Sequence, residues 1–231
     1  KLAMLATEAG LPNGVLNVVQ GDGPRTGSAL VRHPDVGKVT FTGSTRAGAA
    51  IMVDAANSGI KPVTLELGGK SPQIVFGDCD LDIAAACVAG SILSNAGQEC
   101  VAGSRVIAQR GIADELVEKL RIRLAKVTPG PTWSGTSQYA PIVSRRQMAM
   151  IDTIVAQAVS QGAEALLGGR QFDGPFANFY QPTILANVSA SNPAATQEIF
   201  GPVLTIQTFD ADDEAVGLAN DSIYGLAAGI Y

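Results

Sequence analysis

The chain has 231 residues, 46% of them apolar and 16% charged, and carries a net charge of −5. That length allows one large domain or two modest ones with a sizeable core, and an acidic balance without a basic cluster excludes a nucleic-acid footprint. Its longest uncharged stretch, Ile83 to Gln98, is too short and too Ala-rich for a membrane span, and its three cysteines include no CxxC pair, which speaks against zinc and for a reducing compartment. No signal-peptide pattern and no initiator Met are present, and the chain opens in mid-helix, so it reads as an internal piece of a longer cytoplasmic protein.

Strand-like and helix-like segments alternate from the start. Leu2–Ala9 is expected to be helical and to stop at Gly10, with Pro12 beyond it. Val15–Val19 reads as a strand, Pro24–Val31 as a helix and Lys38–Thr42 as a second strand. A Gly43–Gly48 turn then leads into an Ala-rich helix, Ala49–Ala56. Strands follow at Pro62–Leu67 and Pro72–Phe76, and Asp80 can cap a helix running from Leu81 to about Asn95. Beyond Cys100 come a strand at Ser104–Ala108, a charged amphipathic helix at Ala113–Lys126 and a Pro/Gly/Ser-rich loop from Thr128 to Pro141. Arg145–Ser160 is a helix closed by Gly162. Pro182–Leu185, Val203–Phe209 and Leu226–Ile230 read as strands, with Asp212–Ala219 helical before the last. The alternation implies an α/β fold with a largely parallel sheet. The Gly68–Gly69 pair marks a domain junction, which divides the chain into 1–67 and 68–231.

Four stretches carry chemistry. Gly97-Gln98-Glu99-Cys100 sets a cysteine in a loop of small residues, where a thiol is exposed and backbone N–H groups stand ready for a developing oxyanion. Buried, inert packing is the bland reading of a cysteine, and Cys79 and Cys87 fit it. The one histidine, His33, lies in a polar loop, so Glu66 in Leu65-Glu66-Leu67-Gly68-Gly69-Lys70 is the base on offer. Glu66 is expected to be a buried carboxylate raised towards neutrality, or else half of a structural salt bridge, with Lys70 as a candidate partner. Gly43 to Gly48 follows a strand and opens a helix, so it suits a phosphate or serves as a plain strand–helix turn. Glu198-Ile199-Phe200-Gly201-Pro202 offers a carboxylate for ribose hydroxyls and an aromatic for a flat ring, or simple strand-entry packing.

Together, these stretches resemble the aldehyde dehydrogenase superfamily. Phe41-Thr42-Gly43-Ser44-Thr45-Arg46-Ala47-Gly48 is similar to its cofactor turn, and Leu65 to Pro72 to the segment bearing its general base. Gly97 to Cys100 resembles its nucleophile loop, and Glu198 to Pro202 its ribose-binding segment. Asn220 to Leu226 also has the family's look. The resemblance implies the C-terminal part of a Rossmann-like NAD(P)-binding domain over 1–67, followed by most of an α/β catalytic domain over 68–231. It implies Cys100 as nucleophile, Glu66 as base, Gly43 and Ser44 near the pyrophosphate, Glu198 on the nicotinamide ribose and Phe200 near the nicotinamide. It further implies NAD or NADP as cofactor, an aldehyde as substrate, no metal, and a parent protein that is a homodimer or homotetramer. The family's Asn oxyanion donor and its adenosine-ribose residues would lie upstream of this chain. Ala140 stands where the family commonly has Gly before Pro141. Rival readings are a CoA-acylating relative, against which Glu66 counts, an inactive binding or structural fragment, and a Cys-His acyl-transfer enzyme, against which the single unsuitable His counts.

Overall fold

A computed structural model describes residues 1–133, 135, 137, 139–176 and 178–231. Ser134, Thr136 and Gln138 of the expected Thr128–Pro141 loop lie outside the described residues. The chain forms two compact units, Lys1–Leu67 and Gly68–Tyr231. Among the described residues no helix is long and apolar enough to cross a membrane.

The first unit contains α1 (Leu2–Glu8), a wide helical turn at Gly23–Gly27, α2 (Ser28–Arg32), β1 (Val39–Thr42), α3 (Thr45–Ala56) and β2 (Val63–Glu66). β1 and β2 pair in parallel, from Val39 opposite Val63 to Thr42 opposite Glu66. Asp54 of α3 accepts hydrogen bonds from Ser28 Oγ at 2.6 Å and Arg32 Nε at 2.9 Å, which ties α2 to α3. The strand expected at Val15–Val19 is irregular instead. A strand needs a neighbour for its backbone groups. Among the described residues Val15–Val19 has no pairing strand, and Val15, Val18 and Val19 are exposed.

The second unit is built on a six-stranded sheet. In chain order it comprises β3 (Pro72–Val75), α4 (Leu81–Leu93), β4 (Arg105–Gln109), α5 (Ala113–Leu124), α6 (Arg145–Ser160), β5 (Glu164–Leu167), β6 (Thr183–Ala186), α7 (Pro193–Thr196), β7 (Val203–Phe209), α8 (Asp212–Asn220) and β8 (Gly229–Ile230). The strand order is β5-β6-β7-β4-β3-β8, parallel throughout except for β5 against β6. Parallel strands need helices on both faces, so their side chains bury alternately to either side. Ile184, Leu204 and Val106 point into a cluster with Ala85, Val88 and Ile92 of α4 and Leu116 and Leu120 of α5. Leu185 and Val203 point the other way, against Ile151, Ile154, Val155 and Ala158 of α6. A third cluster joins Ile74, Ile107 and Phe209 to Ala215 of α8.

Most expected elements form within a residue or two of the expected ends. α6 and β7 have the expected bounds, and Asp80 caps α4 by accepting from Asp82 and Ile83 N–H at 3.0 and 3.1 Å. The expected strand at Leu226–Ile230 shrinks to Gly229–Ile230 on β3. β5 and α7 were not expected. β5 is the antiparallel edge, with Glu164 and Ala165 exposed, and α7 is a single turn opened by Asn192 and Pro193. Cys87 corrects an expectation: it is exposed, and Cys79 is only partly buried. α4 is apolar nearly all round, so its sequence does not say which side faces the sheet. The structure turns Ala84, Ala85, Val88 and Ala89 inward and Ile83 and Cys87 outward.

Candidate active site

In the second unit the chain leaves α4 through an unusual turn. Asn95, Ala96 and Gly97 take φ values of 46°, 55° and 69°, three consecutive left-handed residues. L-residues adopt this conformation at a cost of roughly 1–2 kcal/mol each. Side chains offset that cost. Asn95 Nδ2 donates to Gln98 O at 3.1 Å, and Gln98 Nε2 donates back to Asn95 O at 2.9 Å and to Pro141 O at 3.0 Å. The Val143 N–H donates to Gln98 Oε1 at 2.8 Å, so the buried Gln98 amide is fully engaged. A Cβ on Gly97 would collide with the Gly201 carbonyl, so the loop lies directly on the backbone ahead of β7. Cys100 sits at the tip of a turn closed by Ala102 N–H donating to Glu99 O at 3.1 Å. The thiol is free and partly exposed, and no acceptor takes the Cys100 N–H among the described residues.

The Gly68–Gly69 turn gathers two of the expected residues. Gly69 N–H donates to Glu198 Oε1 at 3.2 Å. A Cβ on Gly68 would strike the Glu198 carboxylate, and one on Gly69 would strike the Cys100 carbonyl. Only glycines allow both approaches, so this turn carries the Cys100 loop on one residue and the Glu198 carboxylate on the other. Glu198 is half-buried, and burial raises its pKa against the opposing pull of the Gly69 N–H and Lys70. Phe200 has φ 53°, and Gln147 Nε2 from α6 holds this bend through Ile199 O at 2.8 Å and Phe200 O at 3.0 Å.

Two cations sit behind this turn. Arg105 is 2% exposed and donates to three carbonyls: Lys70 at 2.9 Å, Leu218 at 3.0 Å and Ala219 at 2.8 Å. Lys70 is also 2% exposed, and its Nζ has no hydrogen-bond partner among the described residues. Burial first and the like charge of Arg105 second push the Lys70 amine down to about 7, with Glu198 pulling the other way.

In the first unit, Gly43 and Ser44 join β1 to α3. Ser44 caps α3, its Oγ accepting from Ala47 N–H at 3.3 Å. Gly43 N–H donates to Glu66 O at 3.0 Å, which sets the turn beside the end of β2. A Cβ on Gly48 would meet Leu67, so α3 rests tightly on that segment. The Glu66 side chain is exposed, which corrects the expectation of burial. β2 alternates, with Val63 and Leu65 partly covered and Thr64 and Glu66 open, so the strand's period of two puts Glu66 on the open face.

Gln98, Gln147, Arg105 and Lys70 were not singled out as site residues. Gln98 had a signal in its place beside Cys100. Gln147 had none, because its partners lie 52 and 53 positions away.

A left-handed cysteine loop and a half-buried carboxylate meet on one diglycine turn, in a unit whose sheet is parallel except at one edge. The sequence model of the Aldehyde dehydrogenase family matches residues 1–231, and the chain belongs to that family. Aldehyde dehydrogenase family 2 member C4 of Arabidopsis thaliana is 44% identical over 228 residues, covering 99% of this chain and 45% of the relative. Among solved structures, an NAD-dependent aldehyde dehydrogenase from Sinorhizobium meliloti is 44% identical with a TM-score of 0.95, over 100% of this chain and 45% of that one. Betaine aldehyde dehydrogenase from Staphylococcus aureus, solved with NAD+, is 35% identical with a TM-score of 0.95, over 100% of this chain and 46% of that one. The chain spans about half the length of the curated relatives it matches.

Proposed function

We propose that this chain supplies the nucleophile, the general base and part of the cofactor site of an NAD(P)-dependent aldehyde dehydrogenase that yields a carboxylic acid. The observation that carries the reading is the Gly68–Gly69 turn, which holds the Glu198 carboxylate on one side and the Cys100 backbone on the other. A carboxylate accepts about four hydrogen bonds. Glu198 spends one on Gly69, so acceptor capacity remains for two ribose hydroxyls, and the half-buried Phe200 offers a flat face beside it. These residues fit a nicotinamide nucleotide. Gly43 and Ser44, at the open start of α3, would meet its pyrophosphate.

Cys100, as thiolate, attacks the aldehyde carbon to form a thiohemiacetal, and its own N–H donates to the oxyanion. The cofactor, when bound, supplies the hydride acceptor that turns this adduct into a thioester. Glu66 takes a proton from the water that hydrolyses the thioester, and an exposed carboxylate at a strand end can exchange that proton with solvent. This base favours hydrolysis over transfer to CoA.

The test uses the protein that carries this chain. Cys100→Ser should abolish aldehyde-dependent NADH formation while leaving NADH binding intact. Glu66→Gln should keep a pre-steady-state NADH burst while turnover falls by about 10²–10⁴-fold, the usual worth of a general base. Unchanged turnover in either variant would refute the role given to that residue.

A further inference from the structure

Three left-handed residues separate the end of α4 from the Cys100 loop, and two of them, Asn95 and Ala96, are not glycine. Right-handed helix is the ready alternative for both, since they follow an Ala-rich helix directly. In that alternative α4 runs on into the loop and carries Cys100 with it. Two side chains bond across the turn. Ser94 Oγ donates to Glu99 Oε1 at 2.7 Å, but at the surface, where water competes. Gln98 is buried and uses both ends of its amide. Nε2 donates to Asn95 O at 2.9 Å and to Pro141 O at 3.0 Å, while Oε1 accepts from Val143 N–H at 2.8 Å. The last two partners lie 43 and 45 positions along the chain, so the turn is tied to a distant anchor. That anchor is itself held. The N–H of buried Ile142 donates to Asn178 O at 2.8 Å, and Ser144 opens α6 by accepting from Gln147 N–H at 3.1 Å. The loop has no slack on its other side, where Gly97 lies on the Gly201 carbonyl and Gly69 lies on the Cys100 carbonyl.

We propose that Gln98 is a positioning residue for Cys100: its buried amide locks the left-handed turn onto the Pro141–Val143 segment and so fixes where the nucleophile and its N–H stand. The inference rests on the reading of Cys100 as nucleophile. The task needs a donor and an acceptor on one side chain of this length, which an amide provides. An ionised glutamate only accepts, a lysine only donates and a methionine does neither. Gln98 is not a catalytic residue, because it acts on the reacting thiol only through the backbone of the loop.

The experiment uses the protein that carries this chain and reads three quantities: the rate of the pre-steady-state NADH burst with an aldehyde, the Kd for NADH, and the thermal midpoint. Gln98→Met should slow the burst by about 10²-fold, the cost of a misplacement of about 1 Å. The Kd for NADH should hold, because Gln98 bonds to none of Gly43, Ser44 and Glu198. Gln98→Glu, which keeps the acceptor for Val143 and loses both donors, should be slowed likewise and serves if the methionine variant does not fold. Adding Ala96→Gly to either variant should recover about tenfold of the burst rate, because glycine takes the left-handed conformation freely. The same change should lower the thermal midpoint further, since the Ala96 methyl is fully buried. A purely structural Gln98 would drive rate and midpoint down together. A wild-type burst rate in the Gln98 variants, or a burst slowed further by Ala96→Gly, would overturn the role of Gln98 and leave Cys100 as the nucleophile. A Cys100→Ser protein that still forms NADH from an aldehyde would instead remove the nucleophile itself.

Discussion

A lysine buried without a partner weakens the fold that contains it, and the sign of that effect is open to measurement. The Lys70 amine is depressed from 10.5 to about 7. Between those values the folded chain binds fewer protons than the unfolded chain, so stability rises with pH through that window and is lost as pH falls through it. Lys70→Met should therefore stabilise the protein most below about pH 7. That gain should fade as pH approaches 10.5. Urea denaturation at the two ends of the window checks it, and a gain that grows with pH would contradict the assignment. Cys100 and Glu66 stood out from their motifs as candidates for the chemistry, but Lys70 was visible only as a candidate partner for Glu66. Burial is set by what packs around a side chain, and the Lys70 surroundings come from β4 and from the segment before β7.

At the scale of elements, the turn between α4 and Cys100 shows how local geometry is enforced from a distance. Gly97 combines φ 69° with a position where a Cβ meets the Gly201 carbonyl. Gly97→Ala should therefore displace the cysteine loop, lowering kcat/KM for the aldehyde far more than it lowers the thermal midpoint. Steady-state kinetics beside a melting curve would show the split, and wild-type kcat/KM would refute it. The sequence carried α4 towards Asn95, whereas the helix ends at Leu93. Asn95 and Ala96 have no left-handed signature of the strength of glycine. Their conformation is imposed by Gln98, anchored on Pro141 and Val143. The inner strands were easy to read because parallel strands covered on both faces are runs of apolar residues. β5 is a short antiparallel strand at the edge, half of it exposed, so burial does not mark it out.

At the scale of the molecule, Arg105 joins parts of the second unit that are far apart in sequence. Its guanidinium reaches from β4 to the carbonyl of Lys70 and to the C-terminal end of α8. Arg105→Ala would leave three carbonyls without this donor, and hydrogen bonds to a charged group are worth roughly 1.5–3 kcal/mol each. We expect the variant to lose more than about 3 kcal/mol by chemical denaturation. A loss below about 1 kcal/mol would mean the carbonyls find other donors.

What the sequence determined by itself was the alternation of strands and helices, the class of fold and the family, and it put forward candidate residues for the chemistry in their motifs. These are properties of neighbouring residues: periodicity, capping at Asp80, and short ordered signatures around Gly43, Glu66, Cys100 and Glu198. Tertiary structure alone decided which face of α4 meets the sheet, which leaves Cys87 outside and Ala84 within. It also decided that Val15–Val19 forms no strand, that Gln147 clamps the bend at Phe200, and that the Lys70 amine is buried without a hydrogen-bond partner among the described residues. Each of these depends on which residues arrive from elsewhere in the chain, because burial, pairing and charge balance are fixed by neighbours in space.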